Sequence, residues 1–216
     1  MTAADVASEK RRLRTLMRER LSEVSVEARG RAGEAIAEVL TQSRVWSAFS
    51  SLAAFASKLD EVDCRPLVER AQASGRPVGL PRTNDLGSLD FVEVGPSSPL
   101  RPGRFGVLEP GPDALPVQLT GDTLVVVPGL AFDRLGGRLG RGRGYYDRAL
   151  ADLSLRDPRP LLIGIGYAFQ IVERVPMTPL DVRLDGVVSE EGLCECEASG
   201  RRWTDFGRRI GRSDER

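Results

Sequence analysis

Three short apolar runs, residues 52–56, 123–127 and 161–165, constrain the fold of this chain more than any other feature. Each reads as a strand, and the β-branched run 123–127 has the composition of a strand buried at the centre of a sheet. Helical patterns lie between and around them. Residues 4–21 place Val6, Leu13, Leu16, Met17 and Leu21 near helical spacing. A second helix, capped by Ser22 or Ser25, runs to about Leu40 with Ala28, Ala32, Ile36, Val39 and Leu40 on its apolar face. A third begins near Asp63 and Pro66 and ends at Gly75, and a fourth spans about 145–153. Shorter strands are expected at 78–80, closed by Pro81, and at 186–189, with a half-exposed edge strand at 89–94. The Pro- and Gly-rich stretch 95–121 reads as a long ordered loop, which in one domain is usually functional. Strands separated by helices predict an α/β fold, a mostly parallel central sheet flanked by helices in a single domain over residues 1–196. Residues 197–216 carry six arginines and read as a solvated polar tail rather than a binding arm.

Composition then removes whole classes of chemistry. The chain has 216 residues, 41% hydrophobic and 29% charged, ordinary values for one soluble domain. No apolar run approaches the ~20 residues of a membrane span. The N-terminus turns charged at once, without the apolar core of a secretory signal, so the cytoplasm is expected. Three cysteines, Cys64, Cys194 and Cys196, make no disulfide framework, and there is no histidine at all. A zinc site is therefore not expected, and Ser-His-Asp and Cys-His machinery is removed. Chemistry must rest on carboxylates, Arg, Lys, Tyr, backbone groups or a hard metal ion. A net charge of zero gives no case for nucleic acid, and only Lys10 and Lys58 are lysines among 31 basic residues.

The segment Leu-Gly-Arg-Gly-Arg-Gly-Tyr-Tyr-Asp at 139–147 is the strongest local signal. Gly140, Gly142 and Gly144 free the backbone for positive φ and for close approach of a ligand. They lie between a buried strand and a helix start, where N–H groups and the helix dipole attract anions. Arg141 and Arg143 can add charge-assisted contacts to phosphate. Asp147, in the first turn of the helix, either favours the dipole or holds Mg²⁺. The pattern is neither the dinucleotide-binding G-x-G-x-x-G nor a P-loop, which ends in G-K-[ST].

Read at greater length, Pro128-Gly129-Leu130-Ala131-Phe132-Asp133, Gly136, Arg138-Leu139-Gly140, Gly142 and Gly144-Tyr145-Tyr146-Asp147-Arg148 resemble the signature of the 5-formyltetrahydrofolate cyclo-ligases. The resemblance runs from about Lys10 to about Glu190 and is weakest through 83–120. It implies an enzyme that makes 5,10-methenyltetrahydrofolate from 5-formyltetrahydrofolate with ATP and Mg²⁺, releasing ADP and phosphate, without nucleic-acid or membrane partners, as a monomer or weak dimer. It further implies ATP contacts from Lys10 and Arg14, a K-x-x-x-R element on one helix side, and from Arg138 to Tyr146: Arg138, Leu139, Gly140, Arg141, Gly142, Arg143, Gly144, Tyr145 and Tyr146. Arg143 and Tyr146 carry over as catalytic residues. Ala56, Glu61, Arg82, Phe105 and Tyr146 carry over as folate-binding residues, with Glu61 the carboxylate for the pterin N–H donors. Asp147 and Asp185 carry over as Mg²⁺ ligands. Glu109 falls within Phe105-Gly106-Val107-Leu108-Glu109-Pro110, similar to the family's F-G-[IV]-x-E-P stretch, and Tyr167 to Gln170 resemble its A-x-x-F-Q. Lys58 stands where the family commonly has methionine, and Leu180 where it often has histidine. These departures leave a non-catalytic folate- or nucleotide-binding relative as the alternative.

Overall fold

The computed structural model describes residues 2–103 and 106–197. Helices α1 (Ala3–Ser22), α2 (Val26–Gln42) and α3 (Arg44–Ala48) precede β1 (Ser51–Ala53), and α4 (Arg65–Ala73) leads to β2 (Val78–Thr83) and β3 (Leu89–Glu93). A small hairpin of β4 (Leu100–Pro102) and β5 (Leu108–Pro110) comes next, then β6 (Thr123–Pro128). A second hairpin, β7 (Ala131–Phe132) and β8 (Arg138–Leu139), precedes α5 (Tyr145–Ser154), β9 (Leu161–Ile165), β10 (Gly186–Ser189) and β11 (Gly192–Glu195). The seven-stranded sheet has the order β11-β10-β9-β6-β1-β2-β3. Its five inner strands are parallel and both edges, β3 and β11, are antiparallel. This is the expected fold class.

Strand β6 shows why the sheet forms. Leu124 and Val126 point into the cluster shared with Leu13 and Met17 of α1, Ile36 and Leu40 of α2, and Leu67 of α4. Val125 and Val127 point the other way, against Leu150 and Leu153 of α5. All four are fully buried, each contributing about 1.5–3 kcal/mol relative to exposure. A helix would expose part of such a run; only a strand covered on both faces buries all of it.

Several elements depart from the sequence reading. Ser25, not Ser22, caps α2, accepting from the Ala28 N–H at 3.1 Å. Strand β1 ends at Ala53, and the residues that follow turn out to form a wall of the functional cavity. Strand β2 continues through Pro81 because β1 has already ended opposite Gly79 and β3 is the remaining neighbour. Part of the expected loop 95–121 is the β4–β5 hairpin, and β10 is not the last strand. Strand β11, Gly192-Leu193-Cys194-Glu195, was hidden because so short and half-buried an edge carries no apolar run. None of the described helices is long and apolar enough to cross a membrane. The expected tail falls almost entirely outside the described residues.

Asp63 does not cap α4 as a terminal side chain; Cys64 holds that position without a side-chain bond. The Asp63 carboxylate instead takes the Arg65 N–H at 3.1 Å and both the Arg65 and Arg29 guanidinium groups, at 2.5 and 3.5 Å. Burial pushes its pKa up, but these bonds outweigh burial and hold it below the usual range. The same loop lies hard against α2 at Gly33, where a Cβ would stand 2.4 Å from the Asp63 carbonyl oxygen. Gly33→Ala is therefore expected to destabilise the fold by about 1–3 kcal/mol, as overpacking does. The shift of the urea unfolding midpoint measures it, and an unchanged midpoint would show that the helix and loop separate freely.

Candidate functional site

The sheet order fixes where a ligand can enter. From β1 the chain moves outward to β2; from β6, its neighbour on the other side, it moves outward the opposite way to β9 and β10. Connections leaving in opposite directions open a crevice beyond the carboxyl ends of β1 and β6, the usual ligand position in open α/β sheets. A cavity lies there. Phe55 and Ala56 follow β1, Pro128 and Gly129 end β6, and Pro81 and Thr83 end β2. Glu61, the β4–β5 hairpin residues Val107 and Glu109, and the segment from Arg138 to Asp147 complete the wall.

The glycine-rich segment forms one side. Gly142 and Gly144 adopt φ of +97° and +73°, which a side chain would strain, and Gly144 is the N-cap of α5. Having no side chain, it makes no cap bond, so the positive end of α5 faces the cavity without a built-in acceptor. The loop is braced from three directions. Arg14 Nε donates to the Gly140 carbonyl at 3.0 Å, and Arg18, one turn on, donates to the Arg141 carbonyl at 3.3 Å. Gln170 Nε2 donates to the Gly129 and Leu130 carbonyls at 2.8 and 3.0 Å. Asp133 closes the β7–β8 turn by accepting from the Leu135, Gly137 and Val175 N–H groups. Asp133 and Gln170 are thus scaffold residues whose positions in the motifs did not disclose that work.

Charges inside the cavity are largely cross-linked. Arg141 donates to Glu61 Oε1 at 3.0 Å and Asp60 Oδ1 at 2.7 Å, joining the glycine loop to the loop after β1. Glu61 is seated further by the Lys58 N–H on Oε2 at 2.9 Å, and its own carbonyl accepts from Arg29. Arg138, buried, bridges the Pro128 carbonyl and Asp147, and lies over the Tyr146 ring at 5.7 Å. The Tyr146 hydroxyl is buried and has no hydrogen-bond partner among the described residues. Burial above all, and then the nearby Glu61 charge, raise its pKa, so it remains a neutral phenol able to donate a hydrogen bond. An orphaned donor in a cavity wall is expensive unless a ligand meets it.

Other expected site residues are placed elsewhere. Lys10 does not line the cavity; its ammonium pairs with Asp181 at 2.5 Å, tying α1 to the 178–181 turn. Leu139 is core, with its carbonyl taken by the Leu130 N–H. Arg82 points to the other side of β2 from Pro81 and Thr83, donating to the Gly111 and Pro112 carbonyls at 3.0 and 2.9 Å. Phe105 lies outside the described residues. Leu180 is 85% exposed and does not line the cavity, whereas Lys58 does.

Asp185 is the plainest correction. It is fully buried at the amino end of β10, opposite the cavity, gripped by Arg159 at 2.6 and 2.7 Å and by the Leu162 N–H at 2.9 Å. It cannot share an ion with Asp147 across the length of the sheet. No group of three or more acidic or cysteine side chains capable of holding a metal occurs among the described residues. Of the two expected ligands only Asp147 lies at the cavity, enough for a metal only where phosphate and water supply most of the shell. Asp185→Ala should cost about 3 kcal/mol of stability in urea unfolding, the scale of a broken buried pair. A loss of cation affinity at unchanged stability would return Asp185 to the site.

Fold and cavity together define an α/β protein with a glycine- and arginine-rich loop at its topological switch point, facing an apolar slot set with carboxylates. The chain belongs to the 5-formyltetrahydrofolate cyclo-ligase family, matched over residues 6–190, and is accordingly a ligase of folate one-carbon metabolism. It is 33% identical to the 5-formyltetrahydrofolate cyclo-ligase of Escherichia coli K12 over 148 residues, 67% of this chain and 80% of that one. With the mitochondrial 5-formyltetrahydrofolate cyclo-ligase of Arabidopsis thaliana it shares 29% identity over 212 residues, 87% of this chain and 76% of the other. The NMR structure of Aquifex aeolicus 5,10-methenyltetrahydrofolate synthetase superposes with a TM-score of 0.74 at 30% identity, covering 89% of this chain and 95% of that one.

Proposed function

We propose that this chain cyclises 5-formyltetrahydrofolate to 5,10-methenyltetrahydrofolate, using ATP and releasing ADP and phosphate. One observation carries the reading: a single cavity joins an uncapped helix N-terminus in an arginine-rich glycine loop to an apolar slot with carboxylates on its wall. The first half suits a triphosphate and the second a flat ring with N–H donors. The formyl oxygen attacks the γ-phosphorus and the bond to ADP breaks. N10 then attacks the formyl carbon, the carbon–oxygen bond breaks, phosphate leaves and the N10 proton is lost. Phosphorylation turns a poor leaving group into a good one, so the protein need only position two substrates and stabilise phosphoryl charge. A site without histidine is sufficient for that.

Arg143, on the cavity wall, and the N–H groups at the start of α5 serve the phosphates. The Tyr146 hydroxyl donates to an oxygen at the reacting centre, meeting the partner it lacks in the free protein. Arg141 stands between the two substrates, and Arg14 acts on nucleotide through the loop it braces. Asp147 would hold Mg²⁺ together with phosphate oxygens and water. Bound there, the ion would neutralise phosphate charge. The three free cysteines suit a reducing, cytoplasmic setting, and a monomer or weak dimer suffices because one chain carries the whole cavity.

The test is the appearance of the methenyl chromophore from 5-formyltetrahydrofolate, dependent on ATP and Mg²⁺. Folded protein that binds the folate without consuming ATP would instead establish a non-catalytic relative. Arg143→Ala should raise the KM for ATP about tenfold or more, the loss of a charge-assisted bond. The KM for the folate should change little; equal effects on both would remove Arg143 from the phosphates.

A further inference from the structure

Three carboxylates line the cavity: Glu61, Glu109 and Asp147. Two are already tied to the glycine segment, Glu61 by Arg141 and Asp147 by Arg138. Both Glu61 oxygens also hold protein donors, the Arg141 Nε–H and the Lys58 N–H. Glu109 differs. Thr83 donates to its Oε1 at 2.7 Å, and among the described residues nothing donates to Oε2 or pairs with its charge. Thr83 sits at the end of β2, paired with Leu89 of β3, so Glu109 belongs to the cavity side built from β2, β3 and the β4–β5 hairpin. Pro81, Leu89 and Val107, from the same strands and hairpin, are apolar.

We infer that Glu109 is a substrate-binding, specificity-determining residue that accepts hydrogen bonds from the 2-amino and N3–H donors of the pterin ring. This rests on the folate reading above. The pterin edge presents two adjacent donors, which suit a carboxylate better than any neutral side chain. An unpaired carboxylate in an apolar wall is costly when free and strongly discriminating when met, because an analogue lacking the donor leaves it unsatisfied. Glu61 then chiefly fixes Arg141 between the substrates, and Thr83 orients Glu109 by holding one oxygen.

The experiment compares 5-formyltetrahydrofolate with its 2-desamino-2-methyl analogue in the purified wild type, Glu109→Gln and Thr83→Val, all with intact thermal melts. Wild type should disfavour the analogue in kcat/KM by about tenfold or more, the scale of a lost bond to a charged group. Glu109→Gln should raise the KM for 5-formyltetrahydrofolate by a similar factor, leave the KM for ATP within about threefold, and largely abolish discrimination against the analogue. Thr83→Val should keep most of the discrimination, because the carboxylate remains. Undiminished discrimination in Glu109→Gln overturns the assignment, as does an equal collapse in Thr83→Val, which would make Glu109 a hairpin strut. A wild type that turns over neither compound would overturn the folate reading itself, an outcome distinct from both.

Discussion

Everything in this molecule that concerns ligands follows from the reversal of winding between β1 and β6. The two strands are hydrogen-bonded neighbours, yet their onward connections leave toward opposite edges of the sheet. Connections that part in this way leave a crevice beyond the carboxyl ends of the two strands. The chain furnishes that gap with loops from both sides. The loop after β1 contributes Ala56 and Glu61, and the segment after β8 contributes Arg141, Arg143 and the start of α5. Arg141 spans the division and holds the two furnishings in register through Asp60 and Glu61.

The two ends of the sheet consequently do different work. At the amino end, Asp185 is buried and held by Arg159 and a backbone donor. At the carboxyl end, a helix start, a tyrosine hydroxyl and one oxygen of Glu109 remain without protein partners in the described structure. The first arrangement lowers the energy of the folded chain by itself. The second leaves polar groups whose desolvation only a bound molecule offsets.

The central strands and main helices were legible because burial on two faces and helical spacing leave direct marks on sequence. Strand β9 begins and ends where its apolar run does, and β10 has the bounds expected for it. Strand β11 and the two small hairpins left no such mark, since half-exposed edges tolerate polar residues and their pairing depends on distant partners. In the site, Gly142, Gly144 and Arg141 stood out because interleaved glycine and arginine before a helix start suit an anion, and Glu61 only through the family resemblance. Side-chain direction could not. Arg82 alternates away from the cavity with the strand pleat, and Asp185 is separated from Asp147 by the strand length that its spacing in sequence conceals. Glu109 was visible only as a letter in a motif, because its work depends on the hairpin that turns it toward Thr83.

The seat of α1 has a consequence for how the protein comes into being. Arg14 and Arg18 meet Gly140 and Arg141 across sequence separations of 126 and 123 residues, and Lys10 meets Asp181 across 171. On a ribosome the first helix emerges early and waits through most of translation for the surface it braces. Its apolar stripe, Leu13, Met17 and Leu21, stays uncovered or provisionally covered through that interval. Strands β1 and β2, with α4 between them, can associate earlier, since their partners lie close along the chain. The glycine-rich loop is therefore among the last parts of the molecule to be assembled, and a nascent chain stalled before residue 181 would hold a partial sheet but lack the Lys10–Asp181 tether of the first helix.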